Sequence, residues 1–435
     1  MSGGGLRREI GFAGSALLSF NGIVGAGIFA LPATLHLQFG AFSPWLFPVF
    51  GLLFLLIVLP FARLASLFPH SGGPVAYTAG FGRLVSFQVG WLYYLARATA
   101  LAANANVFAT YAASLWPPLG TAAGRAATIL LLVGALTAIN VVGIRRALRA
   151  LDALTLLKAL PLIGLAFWGL IAAASIPAPG PPPPLSTFEG AVLLLLYAFV
   201  GFENSTVPAD ETADPRRTIP RALIATVIAT ATIYFLIQLA YVSVMPAGAA
   251  PAAPLAAFAE ALIGPAGALL LGGVALASVA GNIGSALTST PRVTFALAGQ
   301  GSLPRWFGAV SARFATPANS VLFMGLVVAA LAVTGSFVWL AIVSTLARLV
   351  VYAVSIAALP RAAKGGAAMW ATVVPGLAVC GWAAAQSKWP SWAMLAGALA
   401  AGLILYALAR RQAGSSASAG TVSSIQPPPS NRSPS

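Results

Sequence analysis

The sequence predicts an all-α integral membrane protein with about twelve transmembrane helices. Hydrophobic residues make up 59% of its 435 residues and charged residues only 7%, with a mean hydropathy of +0.91. A soluble domain carries roughly a quarter of its residues as charges, so most of this surface must be solvated by lipid. The apolar residues run continuously over lengths near the ~20 residues that a helix needs to cross a bilayer. Such runs exclude the alternating pattern of a membrane-spanning β-barrel.

Twelve apolar runs and the placement of the charges define a topology. The expected spans are residues 12–36, 43–66, 85–115, 125–144, 152–175, 188–209, 221–246, 264–298, 318–334, 336–360, 370–387 and 391–410. If the N-terminus is cytoplasmic, eighteen of the 23 Lys and Arg residues lie on the inner side. These are Arg7, Arg8, Arg63, Arg83, Arg145, Arg146, Arg149, Arg216, Arg217, Arg221, Arg292, Arg305, Arg313, Arg361, Lys364, Arg410, Arg411 and Arg432, against Arg125 and Lys388 in outer loops. The positive-inside rule then places both termini in the cytoplasm and the spans in a bacterial inner membrane.

Four segments of differing composition predict the domain organisation. Residues 1–11 form a cytoplasmic N-terminal segment without the apolar stretch and cleavage site of a signal peptide. Residues 12–360 hold a ten-helix core, and residues 361–412 hold two peripheral transmembrane helices. Residues 413–435 are rich in Ser and Pro, which predicts a disordered cytoplasmic tail.

The placement of charge and the scarcity of metal-ligating residues exclude several functions. The formal net charge of +15 is topological, so we expect no nucleic acid partner and only a secondary attraction to anionic membrane lipid. The single Cys380 allows neither an intramolecular disulfide nor a thiolate metal cluster. His36 and His70 have no ligand partner at a useful spacing. We therefore expect no metal, no cofactor and no enzymatic site.

Two of the predicted spans contain residues that interrupt a helix at mid-membrane. Span 1 includes Asn21–Ile28, which has three glycines in six residues. Span 6 includes Tyr197–Pro208, with a glycine, an acid, an amide, two hydroxyls and a proline. Glycine and proline weaken helical pairing, and unwound backbone at this depth survives only when it is buried in protein or lines a cavity. For span 1 taken alone, tight packing of small residues between helices is the alternative.

The two interrupted spans are five apart, so they occupy corresponding positions in two five-span halves that run in opposite directions. Paired interruptions of this kind indicate a transporter binding site. Backbone amides freed at a half-helix N-terminus bind anions, because they point at the ligand and the helix dipole is positive there. The amides of Gly25, Ala26 and Gly27 are therefore predicted to hold an α-carboxylate.

Polar and aromatic residues beside the interruptions complete the predicted site. Carbonyls near Asn21 and Ile23, and others near Phe199–Phe202, are predicted to hold an α-amine. Asn104 is a buried amide of span 3 that is a candidate to face the pocket. Phe199 and Phe202 flank the span 6 interruption and are candidates either to close over a substrate or only to pack.

Several stretches also match the signatures of one family of membrane proteins. They are Asn21–Pro32 (NGIVGAGIFALP) in span 1, Phe199–Glu203 (FVGFE) and Glu211–Arg221 (ETADPRRTIPR) around span 6, and Gly281–Ile283, Pro291-Arg292 and Phe295–Pro304 (FALAGQGSLP) around span 8. Together they resemble the amino acid–polyamine–organocation (APC) superfamily of permeases over most of residues 11–361. The resemblance implies a leucine-transporter-type core of 5+5 inverted repeats, which transports amino acids by alternating access.

Four charged residues lie well inside predicted spans, where a charge is expensive unless it is paired or hydrated. They are Arg97, Lys158, Glu203 and Arg348. Without the resemblance, Lys158 can be interpreted as a lysine that snorkels to the interface. Arg97, Glu203 and Arg348 can be interpreted as members of structural ion pairs or as carbonyl contacts. The resemblance implies that Lys158 fills the place where sodium-coupled relatives bind their ion. It also implies that Glu203 takes part in proton or substrate coupling.

These features predict a secondary active transporter of amino acids with the proton as coupling ion. One intramembrane acid against three intramembrane bases favours a neutral amino acid over a dication. Sodium symport and exchange of amino acids or amines are alternatives within the transporter class. A solute-sensing receptor, a channel and an intramembrane enzyme are the rival classes, and the sequence shows neither a selectivity loop nor a nucleophile–base pair.

Overall fold

The computed structural model describes residues 8–143, 158–188, 190–363 and 365–422. Within these ranges the regular elements are helices, and one isolated bridge is the only strand-like contact. The α-helices in chain order are α1 (Phe12–Ile23), α2 (Gly27–Phe39), α3 (Leu46–Leu67), α4 (Pro74–Tyr77), α5 (Arg83–Leu115), α6 (Ala122–Val142), α7 (Ala159–Ala172), α8 (Val192–Tyr197), α9 (Pro215–Val244), α10 (Pro254–Ile263), α11 (Pro265–Ser289), α12 (Pro291–Gly299), α13 (Ala318–Thr334), α14 (Phe337–Ala362), α15 (Ala367–Ala385) and α16 (Trp389–Val422).

Length and hydropathy allow seven helical runs of the described chain to cross a membrane. Five further apolar helices are 10–17 residues long, and they include the first half of interrupted span 1 and the run Val192–Thr206 in span 6. The helices coincide with the predicted spans, so the all-α membrane fold class is confirmed. Predicted span 5 begins at residue 152, but residues 144–157 lie outside the described part of the chain.

The last helix differs from the predicted tail. Helix α16 continues through Val422, past the predicted start of the tail at residue 413. Residues 413–422 are rich in Ala and Ser, and extending an existing helix requires only modest propensity because nucleation has already occurred. Helix α16 therefore overlaps the predicted tail at residues 413–422, while residues 423–435 lie outside the described part.

The helices pack with their apolar surfaces outward and their polar groups inward. Helix α3 packs along α9, and α5 packs along α14. Large apolar side chains on the outside include Leu52, which is 66% exposed, and Ile171, which is 82% exposed. Such exposure is stable in lipid, whereas the interior contains fully buried polar groups such as Ser19 and Glu203. The fold therefore encloses a polar centre within an apolar shell.

Both predicted interruptions are present; the one in span 1 is shorter than expected, whereas the one in span 6 extends from the end of α8 through two short 3-10 turns to Glu211. In span 1 the helix continues through Ile23, and the backbone leaves helical geometry at Val24, with φ −78° and ψ 79°. Helix α2 begins at Gly27, so Gly22 is helical. In span 6, α8 ends at Tyr197, and Gly201 has a φ of +108° that an L side chain rarely adopts.

The two interrupted spans cross at a pair of glycines. A Cβ built on Gly22 would lie 2.2 Å from the carbonyl oxygen of Gly201, and one built on Gly201 would lie 2.3 Å from the oxygen of Gly22. Only residues without a side chain allow the backbones to come this close. Beside the crossing, the Ser19 hydroxyl donates to the carbonyl of Phe202 at 2.7 Å and lies 2.9 Å from Ser205 Oγ.

The chain also closes on itself at the end of the molecule where α1 begins. The Ile10 N–H donates to the carbonyl of Glu211 at 3.0 Å, and the Ala213 N–H donates to the carbonyl of Ile10 at 2.9 Å. We call this pair of backbone hydrogen bonds the terminal bridge. Next to it, His70 Nδ1 lies 3.1 Å from Asp210 Oδ1. These contacts join the segment before α1 and the loop after α3 to the segment that follows span 6.

Candidate functional site

A cavity of about 40 Å³ lies between the two interruptions. Its wall consists of Asn21, Gly22, Ile23, Gly25, Ala26, Gly27, Arg97, Ala100, Leu101, Asn104, Tyr197, Val200, Gly201, Asn204, Asn282, Ser285, Ala286 and Arg348. A single water needs roughly 10–15 Å³ of such space, so this conformation is too tight for an amino acid. The wall includes six of the nine residues that the sequence predicted for substrate binding.

Two backbone N–H groups of the span 1 interruption are hydrogen-bonded within the protein in this conformation. The Gly25 N–H donates to the carbonyl of Ile23 at 2.8 Å, and the Ala26 N–H donates to Asn104 Oδ1 at 3.2 Å. The first N–H groups of an α-helix have no intrahelical acceptor, and α2 begins at Gly27 on the cavity wall. The start of α2 therefore has the donors and the dipole that favour an anion.

Carbonyls of the same interruption already accept hydrogen bonds. The carbonyl of Asn21 accepts from Asn282 Nδ2 at 2.8 Å, and the carbonyl of Ile23 accepts from the Tyr234 hydroxyl at 3.5 Å. Each carbonyl oxygen has two lone pairs. The Ile23 carbonyl also accepts from the Gly25 N–H, so of the two it is the Asn21 carbonyl that keeps capacity for a further donor such as an ammonium group.

Lys158 reaches into the span 1 interruption from the start of α7. Its ammonium group donates to the carbonyl of Val24 and, at 3.0 Å, to Asn21 Oδ1. The side chain is buried, with an exposure of 2%. A lysine that snorkels keeps its ammonium in water, so that alternative interpretation does not fit this placement.

The aromatic residues of the span 6 interruption lie behind the cavity and not on its wall. Phe199 stacks on Phe54 with ring centroids 5.7 Å apart. Phe202 contacts the same ring edge-on at 5.3 Å and Tyr352 at 5.3 Å. Both phenylalanines are fully buried, Phe199 against α3 and Phe202 against α3 and α14. The structure therefore places them in packing contacts rather than against a substrate.

Glu203 is likewise absent from the cavity wall, because its carboxylate is used by α14. Arg348 Nε donates to Glu203 Oε1 at 3.3 Å, and the Tyr352 hydroxyl donates to Oε2 at 2.9 Å. The Gly201 N–H also donates to Oε2, at 3.1 Å. The side chains of the ion pair are 0% and 4% exposed. This arrangement fixes the span 6 interruption against α14 by a buried salt bridge.

Arg97 also lies on the cavity wall, and no acid of the described residues forms an ion pair with it. Its Nε donates to the Thr290 hydroxyl at 2.8 Å, and its Nη1 donates to the Tyr93 hydroxyl at 3.4 Å and to Asn204 Oδ1. All three acceptors are neutral oxygens. Arg97 is only 8% exposed, so its charge is taken out of bulk water and met by dipoles alone.

The family model described as "Amino acid permease" matches residues 10–409, which is most of the chain. The chain belongs to the amino acid permease family. The resemblance of its interrupted spans to the APC superfamily is thereby confirmed, and it is a multi-pass membrane transporter.

Relatives of the permease support the same assignment. An uncharacterised transporter of Mycobacterium bovis is 30% identical over 377 residues, which cover 80% of this chain and 79% of the relative. A cadaverine/lysine antiporter of Escherichia coli is 26% identical over 349 residues, which cover 78% and 76% of the two chains. A crystal structure of a manganese transporter from Eremococcus coleocola covers 92% of this chain and 94% of its own, with a TM-score of 0.59 and 13% identity. That last likeness shows the fold.

Two residues of the permease site were not singled out from the sequence. Asn282 bridges the Asn21 carbonyl and the Asn104 side chain, and Asn204 accepts from Arg97. Both are amides in apolar spans next to a glycine or an acid, and this is the signal that points to them. Within the described residues, no three His, Cys, Asp or Glu side chains are close enough to hold a metal ion.

Proposed function

We propose that this permease transports α-amino acids across the inner membrane of a bacterial cell by alternating access, driven by protons. Both termini lie in the cytoplasm in this proposal, as the distribution of Lys and Arg predicts. The observation that supports it most is the cavity at the crossing of two interrupted helices, where the start of α2 meets unwound carbonyls. The carboxylate and the ammonium group of an α-amino acid are attached to the same carbon, and they match donors and acceptors placed side by side.

The substrate contacts follow from the wall of the cavity. The α-carboxylate lies against the amides of Gly25, Ala26 and Gly27, beside Asn104, which already accepts from Ala26. The α-amine lies against the second lone pair of the Asn21 carbonyl, next to Ile23, whose carbonyl already accepts from the Gly25 N–H and the Tyr234 hydroxyl. Because the cavity holds only about 40 Å³ here, substrate enters in a more open conformation and this one represents a closed step of the cycle.

Coupling to protons rests on the ammonium group of Lys158. Its contacts with the Val24 carbonyl and Asn21 Oδ1 tie α7 to the span 1 interruption. Loss of the proton removes a donor and the charge, so the free energy of this contact differs between the two protonation states. A protonated lysine occupies the place of a cation, and no sodium is needed.

The experiment is uptake of a radiolabelled amino acid panel into proteoliposomes, under an imposed pH gradient and with or without sodium. We expect wild-type uptake to follow the pH gradient and to ignore sodium. Lys158→Ala should abolish gradient-driven uptake, because no group at the interruption then changes charge, while binding is retained in part. Lys388→Ala is the matched control, since Lys388 is an exposed lysine of an outer loop, and it should leave uptake unchanged. Flux that follows sodium and ignores pH would refute the mechanism.

Exchange is the second candidate, because a relative at 26% identity is named as an antiporter. Preloading the proteoliposomes with unlabelled substrate separates the two. An exchanger shows accelerated uptake into preloaded vesicles and almost none into empty ones, whatever the pH gradient. A symporter accumulates substrate in empty vesicles.

A further inference from the structure

We infer that Arg97 binds a carboxylate on the side chain of the substrate, so that the amino acid transported is acidic. This inference rests on the proposed function and replaces the neutral substrate that the sequence favours. Counting intramembrane charges from the sequence leaves Glu203 available to the substrate. In the structure Glu203 belongs to Arg348, which changes the count at the cavity.

The cavity wall has two guanidinium groups and no carboxylate. Among the eighteen lining residues, Arg97 and Arg348 are the only charged ones. The pair between Arg348 and Glu203 joins atoms 3.3 Å apart with both side chains buried, so the charge of Arg348 is balanced within the protein. Of the two guanidinium groups on the wall, that of Arg97 is therefore the one without a carboxylate partner among the described residues.

The partners of Arg97 do not supply that balance. Thr290, Tyr93 and Asn204 offer neutral oxygens, and no carboxylate of the described residues forms an ion pair with Arg97. A buried charge without a counterion is costly, and a guanidinium presents a planar set of donors that matches a carboxylate in a bidentate fashion. A substrate carboxylate at this position relieves the cost and is recognised by shape.

The position of Arg97 suits the far end of an amino acid. Arg97 and Asn104 are seven residues apart on α5, which places them on the same face at about 10 Å along the helix axis. Asn104 contacts the Ala26 N–H at the start of α2, where the α-carboxylate is proposed to bind. Ala100 and Leu101 line the wall between the two levels.

In this conformation Asn204 accepts the hydrogen bond from Arg97 that we assign to the substrate carboxylate. Its Oδ1 accepts from Arg97, while a Cβ built on Gly22 would lie 2.4 Å from its Nδ2. A carboxylate that takes over the guanidinium releases this amide next to the glycine crossing. Binding at Arg97 is thereby connected to the segment where spans 1 and 6 meet.

The first measurement is the selectivity of the wild-type permease in proteoliposomes. Uptake of labelled L-glutamate and L-aspartate is compared with that of L-glutamine and L-asparagine, which have the same shape without the charge. We expect the acidic substrates to be preferred by about 10- to 100-fold in uptake efficiency, the difference that a charge-assisted hydrogen bond gives. Equal uptake, or a preference for the amides, would overturn the inference without any need for a variant.

The second measurement uses Arg97→Gln and Arg97→Lys. Arg97→Gln should remove the preference, with efficiency for L-glutamate falling about 10- to 100-fold and efficiency for L-glutamine changing little. Arg97→Lys should keep part of it, because the charge remains while the bidentate geometry is lost. Arg125→Gln is the matched control, because Arg125 contacts Thr110 and Asn106 outside the cavity, and it should preserve the preference.

The outcomes separate this inference from the proposed function. Uptake of neutral amino acids with none of glutamate or aspartate would overturn the inference and leave the permease an amino acid transporter. Equal losses for both substrates in Arg97→Gln would assign Arg97 a structural role and also overturn it. Absence of uptake for every amino acid would overturn the proposed function itself.

Discussion

The two interrupted spans meet at the same glycine crossing, yet their surroundings differ. In span 1 the interruption is bordered by amides and an ammonium group, from Asn104, Asn282 and Lys158. In span 6 it is enclosed by aromatic rings and by the buried pair of Glu203 and Arg348. The first set of contacts is made of single hydrogen bonds to backbone, and the second of packing plus a salt bridge.

This difference indicates a division of labour between the halves of the core. Backbone groups held by amide side chains exchange partners easily, because water or substrate can replace a neutral neighbour and the Asn21 carbonyl keeps a spare lone pair. A buried ion pair resists such exchange, because breaking it leaves an uncompensated charge. We therefore interpret span 1 as the part that binds the substrate and span 6 as the part that keeps its shape.

The largest expected effect is at the crossing, which both halves share. Gly201→Ala puts a Cβ 2.3 Å from the Gly22 oxygen and a side chain at a φ of +108°. We expect a loss of more than about 4 kcal/mol of stability and no measurable uptake. Thermal unfolding in detergent and proteoliposome uptake check this. Gly134→Ala is the control, since a Cβ there meets open space, and it should behave as wild type. A stable, active Gly201→Ala protein would disprove the close crossing.

The second largest expected effect distinguishes the span 6 interruption from the span 1 interruption. Glu203→Gln should lower the free energy of unfolding by about 3–5 kcal/mol, because Arg348 is left buried without its acid. Asn104→Ala should lower it by only about 0.5–1.5 kcal/mol per hydrogen bond lost while weakening substrate binding. Chemical denaturation and a binding assay on the same samples measure both quantities. The double variant Glu203→Gln with Arg348→Gln should be more stable than Glu203→Gln alone. If the two sites gave the same pattern, the division of labour would be wrong.

The smallest effect concerns the far end of span 6, outside the membrane. The backbone N–H of Ser71 lies 3.0 Å from Asp210 Oδ2, and this hydrogen bond, aided by His70, lowers the pKa of the Asp210 carboxyl. A lowered pKa means that the carboxylate stabilises the fold above about pH 4 and that this contribution disappears as the pH falls further. The pair is largely exposed, so the contribution is below about 1 kcal/mol.

Unfolding temperatures of the wild type and Asp210→Asn, measured from pH 7 down to pH 3, check this expectation. The wild type should be slightly more stable at neutral pH, and the two curves should converge in acid. Ser71→Ala keeps the backbone donor and should retain most of the difference. Curves that diverge in acid would contradict the sign.

Much of the fold and part of the site follow from sequence patterns. Glycine-rich stretches in apolar spans predict interruptions because glycine weakens a helix wherever it stands. That reasoning identified Gly25, Ala26 and Gly27, which line the cavity. It set the start of the span 1 interruption too early, since Gly22 is helical.

The sequence could not predict which distant residues pair with each other. Glu203 and Arg348 are 145 positions apart, and Arg97 was an equally good partner for the acid on depth alone. Which arginine receives the carboxylate depends on the packing of α14 against span 6. The same packing holds Phe199 against α3 and Phe202 against α3 and α14, away from the cavity, and helical spacing does not predict these contacts.

The terminal bridge has a consequence for how the chain tolerates change. Its two hydrogen bonds run from the Ile10 N–H to Glu211 and from the Ala213 N–H to Ile10, and they involve main-chain atoms alone. Most substitutions at these positions keep the same atoms in place, so the closure is insensitive to sequence drift. A proline at residue 10 or 213 removes a donor, and a one-residue deletion shifts the register. The terminal bridge therefore depends on the length of the chain and its register, and not on the identity of the side chains.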